Sequence, residues 1–265
     1  MGRMVKKYEN RIVLFLDILG FKHHLNKTIG KENVDDEKEI TKLYMSLLAI
    51  RAIAEPEDTN NSRIATQFSD AIVISIKEDD KNQVLYLLDD IASILITLIR
   101  HRIICRGAIS YGKLIHTKDV VFGPALVDAY LTESEAAMYP RVILDQNIIK
   151  LGVNYDKFYE DKISAEKGLL SYLGKDEDDK YYIDYFEQSH YRLSIKELND
   201  YVGILREMVL AGRRFKKPDL KVKYGWMKNK FNKMVDKYTS EIFLSYYKED
   251  DRTELEKLSR LKKIP

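Results

Sequence analysis

The sequence predicts an α+β sandwich with a ferredoxin-like kernel, followed by a C-terminal helical extension. Two observations carry that reading. Short β-rich runs and amphipathic helical stretches interleave up to Leu144 in the order β-α-α-β-β-α-β-β-α-β, which implies helices interleaved with a largely antiparallel sheet. After Ser194 the pattern becomes almost entirely helical. The chain has 265 residues, 45% of them hydrophobic, enough for one substantial core plus an appendage. The expected division is residues 1–190 for the kernel and 191–265 for helices packed on that core or on a dimer.

The elements follow in chain order. Residues 11–17, Arg-Ile-Val-Leu-Phe-Leu-Asp, form a nearly continuous apolar run, as in a strand covered on both faces. Residues 18–26 turn helical, with Gly20 near the start. Residues 35–54 carry Ile40, Leu43, Tyr44, Leu47, Leu48 and Ile50 at helical spacing, and Pro56 closes the run. Residues 63–68 and 71–77 are β-rich with only Ser69-Asp70 between them, the pattern of a tight hairpin. Residues 82–101 make a long amphipathic helix. Residues 103–111 and 113–122 suggest a second strand pair hinged near Gly112 and ended by Gly123-Pro124. A helix over 125–138 stops at Pro140, and 141–144 is a short strand. The acidic, tyrosine-rich stretch 154–188 suggests one hairpin around the charged loop 175–180. Helices over 195–215 and 220–247 are separated by Lys217-Pro218.

Composition narrows the function classes. Lys+Arg (44) and Asp+Glu (42) nearly cancel, and a net charge of +2 exerts no global pull toward nucleic acid or membrane. The single cysteine, Cys105, excludes an internal disulfide framework and sits in an apolar run that favours a buried, reduced thiol. No apolar run approaches 18 residues, and residues 1–10 are polar and basic, so a soluble, cytoplasmic protein is expected. Neither a Walker A loop nor a dinucleotide glycine fingerprint is present. Ser62, Ser69 and Ser110 have no motif that links them to a histidine.

Two aspartates stand out. Asp17 ends a hydrophobic strand, where a charge is costly unless it faces solvent or does chemistry. Asp70 occupies a hairpin turn. In a ferredoxin-like sheet these ends can lie on adjacent strands, and two carboxylates held close invite a cation such as Mg²⁺. Residues 18–21, Ile-Leu-Gly-Phe, open a helix whose free N–H groups suit a phosphate, with Gly20 allowing close approach. Arg106, a charge in an otherwise apolar strand, could clamp the same phosphate. Each also has a plainer reading: Asp17 as a helix cap, Asp70 as turn chemistry, Arg106 as a core ion pair. His23-His24 look like a metal pair, but adjacent helical residues diverge, which favours a structural or surface role.

Taken in order, these motifs carry a resemblance. Phe15-Leu-Asp-Ile-Leu-Gly-Phe21 resembles the first-metal strand and phosphate turn of class III adenylate and guanylate cyclases, and Phe68-Ser-Asp70 is similar to their second-metal hairpin with Ser69 for glycine. Arg106-Gly-Ala-Ile-Ser-Tyr-Gly112 resembles their Arg-x-Gly strand. Phe122-Gly-Pro-Ala-Leu-Val-Asp-Ala-Tyr130 with Pro140-Arg-Val-Ile-Leu144 resembles their late helix and closing strand. The resemblance covers roughly residues 11–145. It implies a class III nucleotidyl cyclase domain in which Asp17, Asp70 and the Ile18 main chain bind two Mg²⁺ or Mn²⁺ ions. It further implies that Ile18, Leu19, Gly20 and Phe21 hold phosphates, that Arg106 binds a phosphate oxygen, and that a homodimer forms with interfacial sites.

The base and ribose half departs from that family. Thr66 stands where a base-reading lysine is usual, Val120 (beside Asp119) at the second base reader, Val127 (beside Asp128) at the ribose asparagine, and Leu131 at the transition-state arginine. This pattern resembles the stand-alone bacterial cyclases of Pycsar anti-phage systems, which implies UTP or CTP as substrate. A Thr66 hydroxyl fits a smaller base, and Tyr44 could stack on a pyrimidine, although helical spacing more often means core. Three alternatives stay open: a purine cyclase, a catalytically inactive nucleotide-binding homologue, and a nucleic-acid module. The last would use the basic, aromatic-interleaved helices at 213–217, 221–230 and 257–263. Tyr224, Trp226, Met227 and Phe231 equally suit a helix docked on the core.

Overall fold

The central strand β1 (Glu9–Ile18) lies between β3 (Ala71–Lys77) and β4 (Cys105–His116), antiparallel to both. In this computed structural model residues 7–30, 33–54, 62–247 and 252–265 are described, and Pro56 falls outside them. Helices α1 (Phe21–Thr28) and α2 (Glu37–Ala54) lead to β2 (Ile64–Phe68), which pairs with β3 as the expected hairpin. Helix α3 (Gln83–Arg100) precedes β4. The short β5 (Val121–Phe122) folds back on the end of β4, and α4 (Pro124–Ala136) leads to β6 (Val142–Leu144), parallel to β4. Then come α5 (Gln146–Tyr155), α6 (Lys162–Leu170), the hairpin β7 (Leu173–Lys175) and β8 (Tyr181–Ile183), and α7 (Tyr185–Arg192). The chain ends in α8 (Ile195–Gly212), α9 (Pro218–Tyr238), α10 (Glu241–Ser245) and α11 (Arg252–Ser259).

The result is a mixed α+β fold: an open sheet ordered β2-β3-β1-β4-β6-β8-β7, with β5 attached to β4, and C-terminal helices. Side chains of β1 alternate between two cores, as the pleat requires. Ile12, Leu14, Leu16 and Ile18 enter the large core, which also takes in α2, α3 and α8. Val13 and Phe15 point the other way, into a small core closed by Ala125 and Ala129 of α4. Asp17 follows on that second face by the same alternation.

Three expectations need correction. The strand pair hinged at Gly112 is one continuous strand, since the ladder runs unbroken through Arg11↔Gly112, and only β5 turns back. Ten ladder positions along β1 outweigh the turn preference of a single glycine. The stretch 154–188 contains α6 and α7 besides its hairpin, and α5 follows β6. The helix expected over 220–247 stops at Tyr238, and Ser240 caps a separate α10 by accepting from the Phe243 amide. In α8 and α9, Leu198, Tyr201, Leu205, Trp226, Met227 and Phe231 belong to the same continuous core as the sheet. Cys105 is buried, as expected. Among the described residues no helix is long and apolar enough to cross a membrane.

Candidate functional site

The ladders bring three charged residues to one end of the sheet. Asp17 lies opposite Ala71 on β3 and opposite Arg106 on β4. The Ile18 amide donates to the Asp70 carbonyl at 3.2 Å, which ties the hairpin turn to the end of β1. Ser69 enters that turn at φ 53°, a left-handed conformation glycine adopts without strain, so the serine is held there by its surroundings. The Asp17 carboxyl is pushed above the ordinary aspartate range, first by burial and then by the negative charge of Asp70, with Arg106 opposing. Two acids distant in sequence therefore repel each other across adjacent strands.

Arg106 is anchored rather than free. Its Nε makes an ion pair with Glu133 of α4 and lies 3.9 Å from Asp17 Oδ2. Glu133 is only 2% exposed, and burial raises its carboxyl while Arg106 opposes that rise. The Nη groups of Arg106 have no hydrogen bond or ion pair among the described residues, so they remain able to meet an anion. Glu133 was not foreseen. Its signal lies in the stripe Ala125, Ala129, Glu133, Ala137, all buried at four-residue spacing, where an acid among alanines marks a buried charge.

The turn after Asp17 is narrower as a phosphate cradle than the motif suggests. The Ile18 amide goes to Asp70 and the Leu19 amide donates to the Ile104 carbonyl at 2.8 Å, so neither is spare. The amides of Gly20, Phe21 and Lys22, at the start of α1, have no acceptor among the described residues. Gly20 takes φ 74°, and an added Cβ there would meet nothing within 4 Å, so the front of the turn is open. The Ile18 side chain is buried in the large core, which leaves its main-chain carbonyl as the one part of it suited to a cation.

The donor set fits a hard divalent ion. No cluster of three or more His, Cys, Asp or Glu suited to a metal occurs among the described residues. Two carboxylates leave the remaining positions to water, a main-chain carbonyl and ligand oxygens, the coordination Mg²⁺ favours. The His23 and His24 rings lie 6.1 Å apart at 68°, and burial together with Lys27 lowers His24 to about 4.

Thr66 and Tyr44 make no hydrogen bond or ion pair with Asp17, Asp70 or Arg106 among the described residues. Thr66, on β2, binds His116 Nε2 through its hydroxyl at 2.9 Å. His116 in turn meets Ser75, and Ser75 meets Arg11, a polar chain the sequence did not reveal because its members lie on four separate strands. Tyr44 is 59% exposed on α2, not packed in the core as its spacing suggested, and makes no described contact with Asp17, Asp70 or Thr66. Val120, Val127 and Leu131 are exposed, and Leu131 borders a cleft of about 440 Å³ with Asp128, Ser110, Tyr111 and Lys180. A second groove of about 670 Å³ runs between the Leu19-Gly20 turn and helices α8 and α9, with Lys22 and Lys223 on its walls.

No family model matches this chain, and no curated protein matches it. Among solved structures it is similar to the adenylyl cyclase CyaB from P. aeruginosa, at 15% identity and a TM-score of 0.42, over 55% of this chain and 81% of that one. It is also similar to a class III adenylyl cyclase-like ATP-binding protein from Pseudomonas aeruginosa, at 10% identity and a TM-score of 0.39, over 61% of this chain and 40% of that one. Both likenesses are distant, and the functional reading rests on side chains.

Proposed function

We propose that the protein is a nucleotidyl cyclase that converts a nucleoside triphosphate, UTP or CTP in preference, into a 3′,5′-cyclic nucleotide and pyrophosphate. The observation that supports this most is the raised Asp17 carboxyl beside Asp70, flanked by a partly free arginine and open helix N–H groups. In the reaction the ribose 3′-oxygen bonds to the α-phosphorus, its proton goes to solvent, and the bond from that phosphorus to the pyrophosphate oxygen breaks. Asp17 and Asp70, with the Ile18 carbonyl, would hold Mg²⁺ or Mn²⁺ ions. Such ions supply a lowered 3′-hydroxyl pKa and charge neutralisation on the departing pyrophosphate. The Arg106 Nη groups, oriented through Glu133, would face phosphate oxygens, and the Gly20, Phe21 and Lys22 amides would cradle them.

A homodimer fits the surface. Phe68, Val127, Tyr130 and Leu131 are exposed on the hairpin and on α4, where a second copy would cover apolar area otherwise left in water. A role in anti-phage second-messenger signalling rests on the sequence resemblance alone. One observation favours a second reading, a nucleotide-binding protein without turnover: Leu131 stands at the usual transition-state arginine.

The test is incubation of the purified protein with each of the four NTPs and Mn²⁺ or Mg²⁺, with products resolved by mass. A cyclic pyrimidine nucleotide is expected, and Asp17→Asn or Asp70→Asn should lower turnover by about a hundredfold or more while the fold persists. Near-normal turnover in Asp70→Asn contradicts the proposal, and nucleotide binding without product selects the second reading.

A further inference from the structure

Helix α1 and the corner between α8 and α9 face each other across the groove of about 670 Å³ that opens beside Gly20. Its surface is mainly apolar, with Ile104, Met208, Phe215 and Tyr224 among the residues that form it. Cations stand on both walls: Lys22 and Lys27 on α1, Lys217 and Lys223 at the start of α9. None of these four ammonium groups makes a hydrogen bond or ion pair among the described residues. Glu207 is taken by Arg102, so Asp219 is the one acid of the groove with no cation paired to it among the described residues.

The charge extends beyond the groove. Residues 213–223 hold six Lys and Arg against one Asp, a local charge of +5 in a chain whose total is +2. Arg213, Arg214, Lys216, Lys217 and Lys221 are exposed, and of these only Arg213 has a described side-chain partner, the Pro265 carbonyl. Like charges gathered this closely repel one another, and a polyanion relieves that repulsion while releasing its own counterions. The corner also presents a flat ring. Gly212 makes room for Tyr224, since an added Cβ would lie 2.2 Å from that ring. Phe215 stacks on Tyr224 at 6.1 Å and 29° and is itself 43% exposed. Trp226, Met227 and Phe231, which follow these cations in sequence, are buried in the core and offer nothing to a partner.

We propose that this groove binds single-stranded nucleic acid, with phosphates along the facing lysines and a base stacked on Phe215. Such a strand supplies both halves of what the groove presents: a row of negative charges and flat apolar faces between them. A free mononucleotide would meet only a few of the cations spread from α1 to Lys221. A lipid surface is a plane, which touches the rim of a groove but not lysines on its opposing walls. A duplex keeps its base faces inside the stack and leaves Phe215 without a partner. The proposal goes beyond the cyclase reading and does not rest on it, since it uses neither Asp17, Asp70 nor a metal.

The test is fluorescence anisotropy of labelled oligothymidylate and oligouridylate, each about 15 nucleotides long. They are titrated with the full chain in EDTA, so that no metal-held nucleotide contributes. Both strands are expected to bind, with log K falling against log salt at a slope of about −3 to −4 between about 50 and 200 mM, as about five phosphate contacts require. Lys216→Gln, Lys217→Gln and Lys221→Gln combined should cost about tenfold or more and make the slope shallower by about 2. Phe215→Ala should cost about fivefold or more and leave the slope unchanged. Lys81→Gln, at an exposed lysine beyond the opposite end of β3, should change neither. Thermal melts establish that each variant is folded. Absence of binding at about 50 mM salt, a slope unmoved by the triple substitution, or an affinity indifferent to Phe215→Ala overturns the proposal. Tighter binding to duplex DNA of the same length, or to phosphatidylserine vesicles, than to either single strand overturns it as well. Stronger binding of one single strand supports it and identifies the source as DNA or RNA.

Discussion

Asp17 carries a charge that the fold by itself opposes. Its carboxyl is raised by burial and by Asp70, so the native state holds its proton at a pH where the unfolded chain has already released it. The sign is then fixed. This group favours the folded state most when protonated, and its contribution declines as pH rises from the unfolded aspartate value through the raised one. Asp17→Asn should accordingly leave stability at pH 7 unchanged or higher by up to about 1 kcal/mol, since Arg106 keeps Glu133 as partner. The difference should shrink toward pH 3.5. Urea denaturation at the two pH values checks this, and a loss above about 1 kcal/mol at pH 7 would mean that the acid is structural. At this scale Asp17, Asp70 and Arg106 were legible because each is a charge, or a turn acid, in an apolar context. Glu133, Arg11, Ser75 and His116 were not, because their meaning comes from partners up to 64 residues away that no single segment displays.

The order of elements was legible through Leu144, because each long helix and paired strand announces its own period and its own breaker. Lys217-Pro218 broke the last helices where expected, with Pro218 in the first turn of α9. The short helices α5, α6 and α7 were missed, since eight to ten residues hold too few turns for a periodic pattern to stand out from tertiary packing. The charged loop between β7 and β8 was readable as a loop but not as a counter-ion. Asp176 and Asp178 both pair with Arg141, which is 0% exposed at the start of β6. Asp176 also pairs with Lys230 and accepts from Trp226 Nε1 at 2.9 Å, so one loop fastens α9 to the sheet. Asp176→Ala should cost about 2–4 kcal/mol by leaving buried cations short of a partner. Asp178→Ala, at a more exposed carboxyl, should cost less than about 1 kcal/mol. Equilibrium unfolding of both variants checks the ranking, and equal effects would contradict it.

Across the whole molecule, the sheet's continuity with the C-terminal helices gives those helices a place at the site. Leu19 and Gly20 share a groove with Met208, Phe215 and Tyr224, and the charge of Lys223 reaches Glu133, the anchor of Arg106. A hydrophobic pattern could show that α8 and α9 bury one face, but not that this face is the same core that supports β1. The arrangement as a whole stands on Asp17 and Asp70 acting together on one cation site. The most direct measurement is Mn²⁺ binding by the full chain, followed by calorimetry, in the wild type, Asp17→Asn and Asp70→Asn. The account predicts binding to the wild type, weakening as pH falls through the raised Asp17 value, and loss of at least tenfold in affinity in each variant. Wild-type affinity retained in both folded variants would contradict it.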